Sequence, residues 1–209
     1  RALVGRGKRV GVMKPFETGC GSRGGGLVPE DALFLKAMAQ STEAIERICP
    51  CRLRYPLAPW IAAALEQVTI DVQQVARNFD DLKSRCDVML VEGAGGLMVP
   101  ITETVMNIDL AKLFALPLII VARLSLGTIN HTLLTVQQAL SRGISVAGIV
   151  LNQLTPEQGI AEQTNPDAIR SLARVPVLGQ MPYVPEDRRN DAGFLAAWAA
   201  SNLTANFFS

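Results

Sequence analysis

The sequence predicts an α/β fold built on a doubly wound, parallel β-sheet flanked by helices. Three apolar runs, at residues 87–91, 118–122 and 146–151, are continuous rather than alternating, as is typical of parallel strands covered on both faces. Segments with helical periodicity separate these runs, and alternating strands and helices favour a parallel sheet. Because 209 residues suit one core and no repeat or linker interrupts them, we expect a single domain over residues 1–209.

Local signals place the elements of the first half. Cations and glycine after residues 2–4 favour a helix C-terminus, and the Pro-Glu-Asp triplet at 29–31 favours a helix N-terminus. Asp71 is expected to cap a helix in which apolar residues recur at helical spacing. The predicted order is a helix end at 2–5, a strand at 10–13, a mobile surface loop at 21–26, a helix from 29, a helix near 60–65 and a helix after Asp71.

The second half is expected to continue the alternation of strands and helices. In open parallel sheets, ligands bind beyond the carboxyl ends of the strands, because loops and helix N-termini converge there. The residues that follow each strand are therefore the candidates for chemistry. The predicted helices lie at 108–115, 128–142 and roughly 166–172, followed by a short strand at 177–179 and a C-terminal helix from 192.

Composition and charge exclude several classes of protein. The chain has 20 Lys and Arg against 19 Asp and Glu, spread along its length, so we expect neither a nucleic-acid partner nor a membrane surface. No apolar run reaches the roughly 18 residues of a membrane span, and the first residues do not resemble a signal peptide. We therefore expect a cytoplasmic protein. Its four cysteines match no zinc template and are expected to be reduced thiols.

Lys14 directly follows the first predicted strand. Its ammonium group can lie among phosphate or carboxylate oxygens as a compact point charge. Thr18 offers a hydroxyl group to the same pocket. A solvated lysine at the end of a strand is the alternative, and this segment alone does not decide between the two.

Glu92 follows the strand at 87–91 and precedes a turn that contains Gly93, Ala94 and Gly95. A carboxylate at the tip of a strand is the arrangement with which a Walker-B acid binds magnesium, and glycine amides can approach anionic oxygens closely. We interpret this segment as a metal and nucleotide site rather than a plain turn. Asp31 is either a second magnesium ligand or only a favourable charge at a helix N-terminus, and the sequence does not place it beside Glu92.

A small-residue turn follows the apolar run at 118–122 and opens a helix with Gly127, Thr128, Ile129 and Asn130. A helix N-terminus of this kind can bind the carboxylate of a substrate. Asn130 could equally start the helix without any ligand. We interpret His131, the only histidine, as structural.

Two segments at later strand ends are candidates for contact with a nucleotide base. Asn152 and Gln153 carry amides that can bind a purine edge through paired donors and acceptors, or can simply cap a turn. Met181, Pro182 and Tyr183 follow the last predicted strand and are candidates for a wall of the same base pocket.

Taken together, these motifs resemble those of the dethiobiotin synthetases, which are biotin-pathway enzymes with a P-loop NTPase fold. The resemblance covers nearly the whole chain, although the Val-Glu-Gly-Ala-Gly motif alone is also similar to cobyrinate-type amide ligases. The motifs are, in order, Lys14-Pro-Phe-Glu-Thr-Gly19, Pro29-Glu-Asp-Ala-Leu33, Pro56-Leu-Ala-Pro59, Val91-Glu-Gly-Ala-Gly-Gly96, Gly127-Thr-Ile-Asn-His131 and Met181-Pro-Tyr183.

The resemblance implies a reaction in which 7,8-diaminopelargonic acid, CO2 (or bicarbonate) and MgATP give dethiobiotin, ADP and phosphate. It implies that Lys14 neutralises charge on a substrate carbamate and on the transferring phosphoryl group. Asp31 and Glu92 would bind Mg²⁺, which bridges the phosphates. The implied cofactors are thus Mg²⁺ and ATP as co-substrate.

The resemblance also implies where the rest of the substrates lie. Thr18 would contact the carbamate end of the substrate, and Asn152 would face adenine with residues 181–183 beside it. Family members are homodimers, in which residues 127–130 would receive the substrate carboxylate across the interface.

One departure from the family pattern concerns the phosphate-binding loop. The family begins with a strand and a Thr-Gly-Thr-Asp-Thr-x-x-Gly-Lys-Thr loop, and the sequence given contains neither. Residues 5–8 do not replace that loop, because the G-x-x-x-x-G-K-[ST] spacing fails. A protein that truly lacks the loop is expected to be inactive, since phosphate positioning and one metal ligand would be lost together.

Three other interpretations stay open at this point. A cobyrinate-type amidoligase would need a glutaminase domain, for which 209 residues leave no room. A partition-type ATPase would need a membrane helix or a basic DNA surface, against which the near-neutral charge argues. A degenerate, noncatalytic subunit is the third.

Overall fold

A computed structural model describes residues 1–157, 159–204 and 207 of the chain. The chain divides into two compact units, Leu3–Phe114 with Arg1 and Ala115–Ser209 with Ala2. Each unit has its own parallel strands, so the predicted α/β class with parallel pairing is confirmed. The prediction of a single domain over residues 1–209 stays a prediction. Among the described residues, no helix is both long and apolar enough to cross a membrane.

Two parallel strands, β1 and β6, lie at the centre of the first unit. Their register pairs Val10 with Val88 and Met13 with Val91, so the two strands end side by side. A second parallel pair, β2 with β5, and an antiparallel hairpin, β3 with β4, complete the pairing of this unit. The elements are α1 (Ala2–Gly5), β1 (Val10–Met13), β2 (Phe16–Glu17), β3 (Gly21–Arg23), β4 (Gly26–Val28), α2 (Glu30–Ala39), α3 (Ile45–Ile48), β5 (Cys51–Arg52), α4 (Pro59–Glu66), α5 (Val72–Lys83), β6 (Val88–Val91) and α6 (Asn107–Phe114).

Apolar packing fixes the helices of the first unit around β1. Val12 of β1 is buried against Ala32 of α2 and Ile48 of α3. The predicted cap of α5 is present, because the Asp71 carboxylate accepts a hydrogen bond of 2.8 Å from the Gln74 amide. The buried face of α5 includes Phe79, whose ring stacks on another aromatic ring of this unit with centroids 4.1 Å apart.

Three parallel strands in the order β7-β8-β9 form the sheet of the second unit. Its core consists of apolar residues of β7 and β8, such as Ile120 and Leu151, packed against Val136 of α7 and Ile169 of α8. The elements are β7 (Leu118–Arg123), α7 (Thr128–Ser141), β8 (Val146–Asn152), α8 (Ile160–Leu172), β9 (Val177–Met181), a 3-10 helix (Glu186–Arg188) and α9 (Ala192–Asn202).

Three sequence-based expectations were wrong in detail. The segment at 21–26, expected to be a mobile loop, is part of the β3–β4 hairpin, whose turn uses the positive φ angles of Gly24 and Gly25. Helix α8 begins before Pro166, because the Glu162 carboxylate accepts a hydrogen bond from the Gly159 amide and starts the helix upstream. Strand β9 extends beyond 179, because its pairing with β8 continues to the end of that strand.

The continuous apolar runs predicted strands that are covered on both faces, but some of their side chains are exposed. Val121 of β7 is 66% exposed, whereas its neighbours Ile120 and Ala122 are buried. Leu90 of β6 is also exposed. A continuous apolar run shows that a segment forms a strand, but it does not show which of the two faces is covered.

Gly179 of β9 lies in close contact with the end of α9. A Cβ atom at this position would overlap the carbonyl oxygen of Asn202 and would lie 2.9 Å from Leu203 Cδ2. We therefore expect Gly179→Ala to lower the free energy of unfolding by about 1–3 kcal/mol, as overpacking does. Urea denaturation checks this, with Gly21→Ala as control because no atom lies within 4 Å of its Cβ position. Equal stability of the two variants would contradict the prediction.

Candidate active site

Lys14 and Glu92 are each the first residue after a central strand of the first unit. Because Met13 pairs with Val91, the next residue of each chain segment lies beside the other. The Lys14 Nζ atom donates a hydrogen bond of 2.6 Å to Oε1 of Glu92. The sequence predicted both residues at strand ends, and the register of β1 and β6 brings them together.

Asp31 joins the same cluster from the N-terminus of α2. Its Oδ2 atom lies 3.1 Å from Lys14 Nζ. The Lys14 side chain is only 7% exposed, whereas the side chains of Asp31 and Glu92 are 63% and 51% exposed. One buried ammonium group thus holds two carboxylates that remain open to solvent and to a ligand.

The pKa of Lys14 is raised by its surroundings. Burial alone would lower this pKa, but the hydrogen bonds and charges of Glu92 and Asp31 outweigh burial. The ammonium group therefore stays charged through neutral pH. Because the folded-state pKa of Lys14 lies above the unfolded one, the contribution of its charge to stability is present at neutral pH and is lost as pH rises through the folded-state value.

The two carboxylates suit a magnesium ion. Mg²⁺ prefers oxygen ligands and commonly uses one or two carboxylates together with substrate phosphates. Asp31 and Glu92 both pair with Lys14 Nζ, so the two carboxylates belong to one cluster. Among the residues that the structure describes, no group of three or more potential metal-binding side chains occurs.

The side-chain carboxamide of Asn107, the first residue of α6, fixes the turn after Glu92. The buried Asn107 Nδ2 atom donates hydrogen bonds to the carbonyl oxygens of Ala94, at 2.8 Å, and of Gly96, at 2.9 Å. Its carboxamide also lies under Gly93, where a Cβ atom would be 3.5 Å away. The amides of residues 93–96 have no hydrogen-bond partner within the described part of the chain. The turn thus has fixed carbonyls and free amides, as anion-binding loops do.

Sequence reasoning missed Asn107. The only available signal was an asparagine just before a predicted helix, which normally indicates a helix cap. Its contacts to residues 11 and 13 positions earlier depend on how the turn folds back, which periodicity does not show.

We expect Asn107→Ala to raise the KM for ATP by about tenfold with a smaller effect on kcat, because two hydrogen bonds of about 0.5–1.5 kcal/mol each are lost. Asn107→Asp, which keeps the shape but loses the donor, should act in the same direction. Steady-state kinetics of the full-length gene product with varied ATP checks this. Asn78→Ala on α5 serves as control, and an unchanged KM in both Asn107 variants would contradict the prediction.

Thr18 and the turn after Glu92 border the same cavity. This cavity of about 270 Å³ is bounded by Thr18 on one side and by Ala94 and Gly95 on the other. Its remaining lining is the apolar segment at 56–59 and Val99. The structure therefore brings the Thr18 hydroxyl group and the glycine-rich turn to a common space within the first unit.

In the second unit, the predicted candidates lie at or after the carboxyl ends of its three strands. Helix α7 begins at Thr128 as predicted, and Gly127 supplies the N-cap with a φ of 90°. Thr128 is buried, Ile129 packs on the core, and Asn130 is exposed beside the exposed His131. Ligand contact by Gly127, Thr128, Ile129 and Asn130 stays a prediction.

The two segments predicted to contact a base are neighbours in the sheet of the second unit. Asn152 pairs with Met181 in the β8–β9 register. Gln153 is buried, and its Nε2 atom donates a hydrogen bond of 2.8 Å to the Thr155 carbonyl, so the turn-capping role that the sequence left open is present. The Met181 side chain is buried in the core, whereas Pro182 is exposed. Nucleotide contact by these residues stays a prediction.

Comparisons with known proteins bear on this arrangement. The AAA domain family matches residues 1–189. The ATP-dependent dethiobiotin synthetase of Thermodesulfovibrio yellowstonii is 39% identical over 201 residues, which cover 92% of this chain and 84% of that protein. The enzyme of the same name from Bacillus velezensis is 42% identical over 174 residues, covering 83% and 73%.

The chain belongs to the dethiobiotin synthetase family. The resemblance inferred from its motifs is thus confirmed. A solved structure, the MinC:MinD cell division protein complex of Aquifex aeolicus, is similar in fold with a TM-score of 0.51 and 15% identity, covering 91% of this chain and 76% of that chain. A likeness at that identity supports the P-loop NTPase-like fold of this dethiobiotin synthetase family member and says nothing about its reaction.

Proposed function

We propose that this protein is an ATP-dependent dethiobiotin synthetase that converts 7,8-diaminopelargonic acid and CO2 to dethiobiotin, with release of ADP and phosphate. The observation that carries the proposal is the buried Lys14 ammonium between the Asp31 and Glu92 carboxylates, in a chain whose relatives bear that enzyme's name. The proposed reaction has three steps, each of which develops negative charge near such a cation.

In the first step, one substrate amine attacks CO2 and loses a proton, which forms a carbamate. A carbamate oxygen then attacks the γ-phosphorus of ATP and ADP leaves. In the last step, the second amine attacks the carbonyl carbon and loses a proton, the bond from that carbon to the phosphate oxygen breaks, and inorganic phosphate leaves as the ureido ring closes. Lys14 supports these steps because its raised pKa keeps it cationic while carbamate and phosphoryl oxygens gather charge.

Asp31 and Glu92 would bind Mg²⁺ in this proposal. A bound Mg²⁺ would supply positive charge to the phosphate oxygens during phosphoryl transfer. The residues of the chain contribute two exposed carboxylates whose other polar partner is Lys14. Lys14 pairs with both carboxylates in the free protein, so a metal ion that binds them competes with this cation.

The cavity that Thr18 shares with the glycine-rich turn supports a role in substrate binding. Its apolar lining suits the alkyl chain of a diamine, and the Thr18 hydroxyl group can donate a hydrogen bond to a carbamate. Across the cavity, the amides of Gly93, Ala94 and Gly95 can donate to nucleotide phosphates. A carbamate and a γ-phosphate on these two sides would be neighbours.

We propose further contacts in the second unit. Asn152 and Gln153 would bind the adenine edge, with Met181, Pro182 and Tyr183 beside it. The N-terminus of α7 at residues 127–130 would bind the substrate carboxylate of the partner subunit in a homodimer, for which the amides of a 14-residue helix are a suitable anion site. We also propose a cytoplasmic protein without nucleic-acid or membrane partners.

The test uses the full-length gene product with 7,8-diaminopelargonic acid, ¹³C-bicarbonate and MgATP. Mass spectrometry should detect dethiobiotin that carries one ¹³C atom, formed in equal amount with ADP. Reactions without the diamine, and reactions with the Lys14→Ala variant, serve as controls. ATP hydrolysis that is independent of the diamine, without labelled product, would overturn the proposal and favour a partition-type ATPase. Glutamine-dependent amide formation would instead favour a cobyrinate-type ligase.

A further inference from the structure

Glu17, at the end of β2, has no role in the proposed chemistry, yet it is one of the few buried carboxylates. It is 5% exposed. Its Oε1 atom accepts a hydrogen bond of 3.0 Å from the Asp31 amide, and its Oε2 atom accepts one of 2.9 Å from the Ala32 amide. Both oxygens are therefore used by the backbone at the N-terminus of α2.

Helix α2 has no cap of its own. Its N-cap position is Pro29, whose side chain has no hydrogen-bonding group, and no side-chain cap occurs there. The first amides of a helix need acceptors, which are usually supplied by the N-cap residue itself. Here the acceptor comes from Glu17, 14 residues before Asp31, and its negative charge also suits the positive end of the helix dipole.

Asp31, whose backbone amide donates a hydrogen bond to Glu17, is also one of the two proposed metal ligands. The Asp31 side chain is mostly exposed, and its only polar partner in the described part of the chain is Lys14. Because this side chain is 63% exposed and has one ion pair, the position of its carboxylate depends on the backbone from which it extends. That backbone is fixed by the hydrogen bond from the Asp31 amide to Glu17.

We infer that Glu17 of β2 is a positioning residue. It caps helix α2 and thereby places the Asp31 carboxylate opposite Glu92 for Mg²⁺ binding. This inference rests on the proposed metal role of Asp31 and Glu92. Glu17 is not part of the proposed metal pair, because it is buried and both of its oxygens face the N-terminal amides of α2. Partners that orient metal ligands typically change metal affinity by about 10- to 100-fold when they are removed.

Metal binding to the full-length gene product with a nonhydrolysable ATP analogue can be followed with Mn²⁺ by electron paramagnetic resonance, without any turnover. We expect Glu17→Ala to weaken Mn²⁺ binding by about 10- to 100-fold, with kcat largely recovered at saturating Mg²⁺. Glu17→Gln keeps one acceptor oxygen and should lie between the wild type and Glu17→Ala. This second variant keeps the test usable if alanine prevents folding.

A matched control removes a helix cap elsewhere in the same unit. Asp71 caps α5 through the Gln74 amide at 2.8 Å and takes no part in the proposed site. Asp71→Ala should lower the melting temperature without changing Mn²⁺ affinity. If Asp71→Ala weakened Mn²⁺ binding as much as Glu17→Ala, a general loss of stability of the first unit would explain both results and the inference would fail.

A rescue variant separates positioning from any direct role of Glu17. Pro29→Ser in the Glu17→Ala background gives α2 a local cap, and the Pro29 backbone, with φ −85° and ψ 89°, is accessible to serine. Recovery of Mn²⁺ affinity in the double variant is the expected result. If Pro29→Ser alone binds Mn²⁺ normally and the double variant stays weak, Glu17 acts in another way and the inference is overturned.

Unchanged Mn²⁺ affinity in both Glu17 variants would also overturn it. These outcomes are independent of dethiobiotin formation. A wild-type protein that makes no dethiobiotin but loses Mn²⁺ on Glu17→Ala would refute the proposed function alone.

Discussion

Replacing Lys14 by methionine is expected to lower kcat for dethiobiotin formation by about 10²- to 10³-fold, the typical effect of removing one preorganised charge-stabilising donor. Methionine fills the buried space of the lysine stem but brings no charge to the carbamate and phosphoryl oxygens. Steady-state kinetics at saturating substrates measures the effect. Lys36→Met is the matched control, because Lys36 is also a lysine of the first unit with one hydrogen bond, to the Glu43 carbonyl.

Metal binding should respond in the opposite direction. Lys14 pairs with the same carboxylates that would bind Mg²⁺, so its loss removes a competing cation. We expect Mn²⁺ affinity of Lys14→Met to be equal to or higher than that of the wild type while kcat falls. A variant that loses metal affinity and turnover together would show that Lys14 serves mainly to hold the carboxylates in place.

Glu92→Gln is expected to abolish magnesium-dependent turnover, with at least a 10²-fold loss at any Mg²⁺ concentration that can be reached. The glutamine amide keeps the size of the side chain but loses the charge that a hard cation requires. The fold should stay intact, because the Glu92 side chain is half exposed and Lys14 keeps Asp31 as a partner.

Turnover across a Mg²⁺ titration, with circular dichroism and thermal unfolding, tests both parts of the Glu92 prediction. Glu103→Gln, an exposed position of the same unit, is the control. Near-normal activity of Glu92→Gln would remove Glu92 from the metal site. Higher Mn²⁺ affinity in Lys14→Met together with lower affinity in Glu92→Gln would show that Glu92 binds the metal and that Lys14 competes with it.

The sequence was sufficient to predict that Lys14 and Glu92 lie at strand ends, because each follows an apolar run, and the parallel pairing of β1 with β6 brings them together. It was not sufficient for Asp31, because the distance between a helix N-terminus and a strand end depends on packing. Glu17 and Asn107 were missed for a related reason. Each acts through hydrogen bonds to backbone atoms more than ten residues away, and their sequence neighbours carry no signal of this.

The wrong predictions about the fold have physical causes of the same kind. Glycines at 24–26 indicate a turn, but whether its flanks pair as a hairpin depends on the register that forms. Pro166 normally marks a helix start, yet the carboxylate of Glu162 starts α8 earlier. In the second unit, the ends of β7 and β8 were predicted to within one residue, and that of β9 two residues short. Ligand contact by Gly127, Asn152 and Tyr183 stays a prediction, because a sequence pattern does not specify such contacts.

The hydrogen bonds of Glu17 have a consequence for the segment between β2 and α2. Glu17 precedes the β3–β4 hairpin and Asp31 follows it. The hydrogen bond from the Asp31 amide to the Glu17 carboxylate therefore connects the two ends of the segment that contains the hairpin. The cost of closing a flexible loop grows only slowly with its length, by about 0.6 kcal/mol per doubling. Residues 21–28 are therefore a suitable place for insertions, such as a peptide epitope or a fluorescent reporter, that leave the anchored ends where they are.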